Sequence, residues 1–277
     1  MKIVNPVITS RKNSLIIETA SLHEKKYRYE QGLFLIEGEK LVKEAAEHRL
    51  PIVRVFLSEG RAAEILPRLQ ERMGEGAYAE TSVYTLSDEC FSKISSEKAP
   101  QGVIAVLKHL DIFERKTIIY DEDICSLGTG RVVMLYAMQD PGNLGAVIRS
   151  AVAFGVDHIL LSADCADLYN SKTIRAAMGS LFRVRIWVVE DVAGAISALQ
   201  KNGRRVWAAE LRDGALALSE APLQASDCII IGNEGHGIPP AVSSLCTGSV
   251  YLPISQRAES LNAAVAAAIF LWEQSQL

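Results

Sequence analysis

A short glycine-rich stretch places polar side chains directly after an apolar run. In "IIIGNEGHGIPP", residues 229–240, three glycines alternate with Asn233, Glu234 and His236. Glycine lets a backbone adopt unusual conformations and lets other groups come close to it. The glycines follow the order GxxGxG, the reverse of the dinucleotide-binding GxGxxG, and the chain has no GxxxxGK[ST] sequence. Nicotinamide-nucleotide and P-loop chemistry are therefore disfavoured.

A second stretch, "MQDPGNLGAVIRSA" at residues 138–151, combines a turn with a helix. Asp140-Pro141-Gly142 predicts the turn, and Asn143 is predicted to cap the helix that follows. At about 100° per residue, Arg149 lies near 140° from Leu144 and opposite the apolar stripe of the helix. Arg149 is thus an ordinary exposed arginine, or it binds a phosphodiester together with the helix N-terminus.

A third stretch, "LPISQRAESLNAAVAAAIFLWE" at residues 252–273, predicts a strand end, a loop and a helix rich in alanine. Ser260 and Asn262 stand at the entrance of this helix, where they either act chemically or cap it. The alanines allow another backbone or helix to pack very close, and we interpret them as part of a tightly packed core helix.

The elements around these stretches predict an α/β fold. From residue 131 onward, near-continuous apolar strands alternate with helices, which indicates a largely parallel sheet covered on both faces. Ligands on such sheets bind at the carboxyl ends of the strands. We predict a small α/β domain at residues 1–108, a linker at 109–130 and a second domain at 131–277.

Composition narrows the class of protein. The 277 residues exceed the usual size of one core, and 49% hydrophobic with 22% charged residues is an ordinary globular balance. The five cysteines and five histidines are scattered, without CxxC or HxxxH, so we predict reduced thiols and no metal site. The N-terminus lacks a signal peptide and no apolar run reaches the ~20 residues of a membrane span, which predicts a cytoplasmic protein without membrane association.

The charge is unevenly distributed. The net charge of the chain is −4, but residues 1–36 contain six lysines and arginines against three glutamates, which gives +3 locally. A solvated surface explains such a short run, and contact with nucleic acid is the alternative.

The three polar stretches together resemble the three motifs of the SpoU/TrmH family of SPOUT RNA methyltransferases. The resemblance covers roughly residues 131–277. "KYRYEQGLFLIEGEKLVKEA" and "PQGVIAVL" nearer the N-terminus resemble the small substrate-binding domain often fused ahead of that catalytic domain. The resemblance implies transfer of a methyl group from S-adenosylmethionine to a ribose 2′-hydroxyl of RNA, without a metal.

The resemblance also implies a fold and a set of site residues. Family members form homodimers and have a deep trefoil knot in the C-terminal domain, and the partner subunit supplies the arginine of the first motif. The positions matching the catalytic and structural polar residues are Asn143, Arg149, Glu234, Ser260 and Asn262. Those matching the cofactor-binding positions are Gly232, Asn233, Gly237, Leu252, Ile254 and Leu261. We expect the N-terminal domain to bind RNA through Arg11, Lys12, Lys25, Lys26 and Arg28.

The role of Arg149 follows from its chemistry. It matches the base proposed for the family, but a free guanidinium stays protonated at ordinary pH, so a base here needs burial and neighbouring charge. We favour a role in orienting the phosphate and stabilising the developing alkoxide. Many family members have a glycine after "IPMS", where this chain has Gln256. The loop that binds S-adenosylmethionine therefore differs in sequence from the family pattern at this position.

Ribosomal RNA is the expected substrate, because a separate N-terminal domain is present. Transfer RNA is the alternative within the family, and an RNA-binding protein with a decayed catalytic site is the alternative outside it. The target nucleotide and any role in antibiotic resistance are not encoded in these motifs.

Overall fold

The computed structural model describes residues 1–73, 78–111, 113–116, 121–255 and 257–277. They form two compact α/β units. The first combines Met1–Leu110 with Asp167–Phe182, and the second combines Asp111–Ala166 with Arg183–Leu277.

The described residues of the first unit contain five strands and their helices. The strands are β1 (Lys2–Ile8), β2 (Leu33–Glu37), β3 (Ile52–Ser58), β4 (Ser82–Leu86) and β5 (Val103–Lys108). The helices are α1 (Ser14–Ser21), α2 (Lys25–Gln31), α3 (Glu39–Glu47), α4 (Glu59–Met73) and α5 (Asp88–Ile94). The later segment Asp167–Phe182 adds α8 (Ser171–Ala177) and a 3₁₀ turn at Ser180–Phe182.

The sheet of the first unit is mixed, with the order β1-β4-β3-β5-β2. Strands β1, β4 and β3 run parallel, and β5 is antiparallel to both β3 and β2. Its core is apolar, with Phe34, Phe56 and Phe91 almost completely buried.

The second unit contains the remaining elements. Its strands are β6 (Phe113–Lys116), β7 (Val132–Leu135), β8 (His158–Ser162), β9 (Arg185–Val189), β10 (Val206–Ala209), β11 (Leu216–Ala217), β12 (Cys228–Ile231) and β13 (Gly248–Tyr251). Its helices are α6 (Asp121–Cys125), α7 (Pro141–Ala153), α9 (Val192–Lys201), α10 (Pro240–Ser243) and α11 (Ala263–Ser275), with a 3₁₀ turn at Leu218–Glu220.

The second sheet has the order β11-β13-β10-β12-β7-β8-β9-β6, and every neighbouring pair is parallel. This confirms the predicted parallel sheet. All residues of β7 and β12 are buried, as expected for central strands covered on both faces. Complete burial of Ile229 or Ile230 contributes roughly 1.5–3 kcal/mol of hydrophobic stabilisation each.

Two features differ from the predicted domain organisation. Part of the predicted linker, Phe113–Lys116, is a strand paired with β9 at the edge of the second sheet. The segment Asp167–Phe182, placed by the sequence in the second domain, packs within the first unit, where α8 contacts β2. Both differences arise from pairings with residues far away in the chain, which local periodicity does not encode.

A search of the described residues for membrane spans found no helix with the length and hydropathy to cross a bilayer.

Candidate functional site: three loops at the carboxyl edge of the parallel sheet

Helix α7 begins with a proline that follows an acidic cap. The side chain of Asp140 accepts a hydrogen bond from the backbone N–H of Asn143 (2.7 Å), and Pro141 occupies the first helical position, where its missing N–H costs no hydrogen bond. The prediction that Asn143 caps this helix is therefore wrong. Because Asp140 performs the capping, the side-chain amide of Asn143 is available for other partners.

Three polar side chains from the three predicted stretches meet in one hydrogen-bonded row. Asn143 Nδ2 donates to Glu234 Oε1 (3.1 Å), and Asn262 Nδ2 donates to Asn143 Oδ1 (3.0 Å). We refer to Asn143, Glu234 and Asn262 as the polar triad. Its members follow β7, β12 and β13, whose carboxyl ends lie on the same edge of the parallel sheet.

Asn262 has a second function at the start of α11. Its Oδ1 accepts hydrogen bonds from the backbone N–H groups of Ala264 (2.9 Å) and Val265 (3.3 Å), so Asn262 caps the helix. Asn262 therefore both caps α11 and belongs to the polar triad. Ser260 is exposed and lies outside the triad's hydrogen-bonded row.

The glycine loop after β12 is shaped by its own backbone. Asn233 and Gly237 exchange two backbone hydrogen bonds, of 3.1 and 3.0 Å. A Cβ on Gly232 would lie 2.6 Å from the carbonyl carbon of Gly237, so any larger residue would force the loop apart. Gly237 has a φ of +65°, in the left-handed region. A Cβ on Gly235 would meet nothing closer than 3.7 Å, so the loop itself does not require glycine there.

The side chain of Asn233 fastens this loop to the neighbouring one. Its Nδ2 donates to the carbonyl of Ala137 (2.7 Å), and its Oδ1 accepts from the N–H groups of Gly235 (2.8 Å) and His236 (3.0 Å). Ala137 itself has a φ of +49°, which is uncommon for a residue with a side chain. Asn233, predicted to bind a cofactor, thus has its side chain engaged in holding two loops together.

A cavity of about 370 Å³ lies where β10 and β13 end. We call it the strand-end cavity. Three of the predicted cofactor-binding residues, Leu252, Ile254 and Leu261, line it, and so does Ser260. Gly232 and Gly237 do not line it; they lie in the loop after β12, the strand next to β10. A cavity of this size, largely apolar with a few polar groups, fits a small organic cofactor.

Arg149 is exposed, as its position opposite the apolar stripe of α7 predicts. It lies six residues after Asn143, which corresponds to about 9 Å along the helix axis. Within the described residues its guanidinium has no hydrogen bond or ion pair. The single chain therefore leaves its positive charge free for a phosphate or for a group of another molecule.

The predicted RNA-binding cations of the first unit divide into two kinds. Arg11, Lys12, Lys25 and Lys26 are exposed. Arg28 is buried, with 4% of its side chain exposed, and forms an ion pair with Asp167. Its burial removes Arg28 from the cations that can contact RNA, which corrects the prediction for this residue.

Some features of this edge were not found from the sequence. The Asp-Pro pair before α7 is a recognised helix-start signal, so the cap at Asp140 could have been found. Glu210, which also lines the strand-end cavity, has no motif around it. In the described part of the chain, no group of three or more His, Cys, Asp or Glu side chains could hold a metal ion. Gln256 lies outside the described residues.

Two protein-family models match parts of this chain. Residues 130–272 match the model of the SpoU rRNA methylase family. This range includes every residue of the polar triad. Residues 13–105 match a model described as an MRM3-like substrate binding domain. The chain belongs to the SpoU rRNA methylase family.

Relatives of this SpoU family chain cover nearly its whole length. It is 36% identical over 266 residues to the 23S rRNA (guanosine(2553)-2′-O)-methyltransferase RlmP of Bacillus subtilis, covering 96% of this chain and 97% of that protein. It is 30% identical to the 23S rRNA (uridine(2479)-2′-O)-methyltransferase of Streptomyces viridochromogenes, covering 96% of this chain and 90% of the other.

Solved structures of similar proteins agree with the fold. An RNA 2′-O ribose methyltransferase superposes with a TM-score of 0.80 at 26% identity, covering 98% of both chains. An AdoMet-bound rRNA methyltransferase from Sinorhizobium meliloti superposes with a TM-score of 0.79 at 26% identity, covering 99% of this chain and 98% of the other. The SpoU fold predicted from the three motifs is therefore confirmed.

Proposed function

We propose that the protein transfers a methyl group from S-adenosylmethionine to a ribose 2′-hydroxyl of ribosomal RNA. The observation that supports this most strongly is the polar triad, whose Asn262 directly follows the cavity residue Leu261, in a chain that matches 2′-O-methyltransferases over almost its entire length. The two relatives act on a guanosine and a uridine of 23S rRNA.

The strand-end cavity fits the methyl donor. Leu252, Ile254 and Leu261 line the cavity and would provide apolar walls for the adenine. When bound, S-adenosylmethionine supplies a methyl group on a positively charged sulfur, which the ribose oxygen can attack. Gly232 contributes indirectly, since its missing side chain allows the loop after β12 to close.

The polar triad keeps the three loops in a fixed relative position. The side-chain amide of Asn143 donates to Glu234 and accepts from Asn262, so a rotation of Asn143 would break both links. Fixed positioning of the reacting groups is a large part of catalysis when a weak nucleophile must attack in line with its leaving group. We assign Arg149 to the substrate phosphate and to the charge that develops on the ribose oxygen.

Methyl transfer from tritiated S-adenosylmethionine tests this function. Ribosomal RNA, transfer RNA and assembly particles serve as substrates, and Arg149→Ala is compared with Arg183→Ala, which alters another exposed arginine of the second unit. We expect alkali-resistant label in 23S rRNA, lost in Arg149→Ala and retained in Arg183→Ala. Label in transfer RNA alone would favour that substrate class instead, and absence of both transfer and donor binding would support a decayed site.

The protein is proposed to act as a homodimer. A groove of about 610 Å³ runs between α7 and α11, and it is lined mainly by apolar side chains. Val265, Ile269 and Trp272, at spacing i, i+4 and i+7, have 50%, 38% and 50% of their surface exposed. The prediction of a core helix therefore holds for only one side of α11. Such an exposed stripe is typical of a protein interface, and a second copy of the same face would cover it.

Mixing two inactive variants tests whether Arg149 acts on the partner's site. Arg149→Ala lacks the arginine, and Gly232→Val disrupts the glycine loop. In a heterodimer, one composite site would combine an intact loop with an intact Arg149, so a 1:1 mixture that exchanges subunits should recover about a quarter of the wild-type activity. No recovery, with heterodimers shown by mass spectrometry, would place Arg149 in the site of its own chain.

Dimerisation itself is measured by sedimentation. Trp272→Asp should shift the wild-type dimer to monomer, because a charge in an apolar interface is costly. Ile17→Asp alters an equally exposed apolar residue of the first unit and serves as the control. The deep trefoil knot, which we base on the family alone, and the cytoplasmic location, which we base on the sequence, stay predictions.

A further inference from the structure

The strand-end cavity contains an acidic side chain with a fixed position. Glu210 follows β10 directly, and its backbone N–H donates to the carbonyl of Val250 (2.9 Å), which continues the pairing of β10 with β13 by one residue. This pairing places Glu210 at the carboxyl edge of the sheet, where its side chain lines the cavity together with Leu252 and Ile254.

One oxygen of the Glu210 carboxylate is anchored by the protein. Oε1 accepts a hydrogen bond from the hydroxyl of Ser249 (2.9 Å), whose residue is only 3% exposed. Arg212 Nε forms an ion pair with the same oxygen (3.4 Å). Arg212 Nη1 in turn donates a hydrogen bond to the hydroxyl of the buried Ser243 (3.0 Å). The carboxylate is thus held from two sides through a single oxygen.

The second oxygen of Glu210 is available to a ligand. The side chain is 17% exposed, and within the described residues no group donates to Oε2. An ionised carboxylate only accepts hydrogen bonds, and an acceptor left without a donor beside an apolar cavity is unfavourable. Ser249 could be satisfied by a neutral acceptor, and the ion pair with the exposed Arg212 contributes little to stability, so the fold gains little from this charge. The arrangement is therefore suited to a ligand that brings hydrogen-bond donors.

We propose that Glu210 accepts hydrogen bonds from the ribose hydroxyls of the methyl donor and thereby determines specificity for it. This inference rests on the proposed function, which places S-adenosylmethionine in the strand-end cavity. The donors that this ligand would bring beside Leu252 and Ile254 are the N6 amino group of the adenine and the two hydroxyls of the ribose bonded to it, and only the hydroxyls form a diol. A carboxylate with one anchored oxygen matches such a diol well.

Binding of three ligands by calorimetry tests the assignment. S-adenosylhomocysteine contains base, ribose and amino acid, 5′-methylthioadenosine lacks the amino acid, and the 2′,3′-dideoxy form of 5′-methylthioadenosine also lacks the diol. Glu210→Gln preserves the size and the acceptor for Ser249 but removes the charge. It should weaken the first two ligands by the same factor, about 10- to 100-fold, because charge-assisted hydrogen bonds are lost. The dideoxy ligand should bind the wild type and Glu210→Gln with equal affinity.

Glu220→Gln is the control, since Glu220 is an exposed acid of the second unit that does not line the cavity. It should leave all three affinities within about twofold. If Glu210→Gln weakens S-adenosylhomocysteine but not 5′-methylthioadenosine, the carboxylate contacts the ammonium group and the ribose assignment is wrong. Unchanged affinities for both would show a purely structural role. If the wild type binds none of the ligands, the proposed function fails and this assignment with it.

Discussion

Replacement of Arg28 by alanine should destabilise the first unit strongly without acting through RNA. Arg28 Nε donates to Asp167 Oδ2 (3.1 Å), and Nη1 donates to the carbonyls of Leu22 and His23, both at 2.7 Å. Only 6% of the Asp167 side chain is exposed. Removing one partner leaves a buried charge without its counterion, which typically costs about 3–5 kcal/mol.

The distribution of tryptophan makes this prediction easy to measure. All three tryptophans, Trp187, Trp207 and Trp272, belong to the second unit. Urea unfolding followed by far-ultraviolet circular dichroism detects both units, whereas tryptophan fluorescence follows the second. Arg28→Ala should move the transition of the first unit down by on the order of 2 M urea, with the fluorescence transition unchanged.

Two comparisons separate the buried pair from an RNA contact. Lys25→Ala with Lys26→Ala alters two exposed cations, so stability should stay within about 0.5 kcal/mol while RNA affinity falls and depends less steeply on salt. In a chain that carries Asp167→Asn, Arg28→Ala should cost much less, because no charge is left unpaired. Wild-type stability of Arg28→Ala, combined with a weaker salt dependence of RNA binding, would refute this account.

Three further outcomes follow from individual environments. Gly232→Ala should cost roughly 1–3 kcal/mol and weaken donor binding, because its Cβ would overlap Gly237, whereas Gly235→Ala should change stability by less than about 0.5 kcal/mol in the same urea titration. Burial, opposed by Asp167 and reinforced by Arg28, lowers the pKa of His109 below its ordinary value of 6.5. The unfolded chain therefore binds the proton more readily, the first unit loses stability as pH falls through 6.5, and His109→Phe should flatten this loss between about pH 7.5 and 5.5. Complete burial raises the pKa of Cys228 to about 12, so a thiol reagent at about pH 8 should modify the exposed Cys125 but leave Cys228 intact until unfolding, as peptide mapping would show.

The sequence predicts those parts of the fold that depend on local patterns. Continuous apolar runs such as Cys228–Ile231 and Val132–Leu135 predict buried parallel strands, and the structure confirms them. Because parallel strands end on the same edge of a sheet, polar residues that follow them are expected to converge there. Asn143, Glu234 and Asn262 do so, although 91 and 119 residues separate the bonded pairs.

The features that the sequence does not predict depend on single long-range partners. Arg28 looks like its exposed lysine neighbours in sequence, and the counterion that its burial requires, Asp167, lies 139 residues away. Glu210 follows an apolar strand as many surface glutamates do, and its anchoring depends on Ser249 in a different strand. Hydrophobic periodicity predicts which face of a helix or strand a side chain lies on, but it does not predict which distant residue that side chain contacts.

The glycine loop shows how a fold requirement becomes a functional one. Gly232 lies next to Gly237 because the chain must reverse immediately after β12, and the two backbone hydrogen bonds between Asn233 and Gly237 leave no room for a Cβ. The same reversal brings Glu234 to the tip of the loop, where it accepts from Asn143. The interleaved glycines and polar residues thus serve one purpose. Gly232 and Gly237 allow a tight loop, and the tight loop carries the Glu234 carboxylate to the place where the three loops of the site meet.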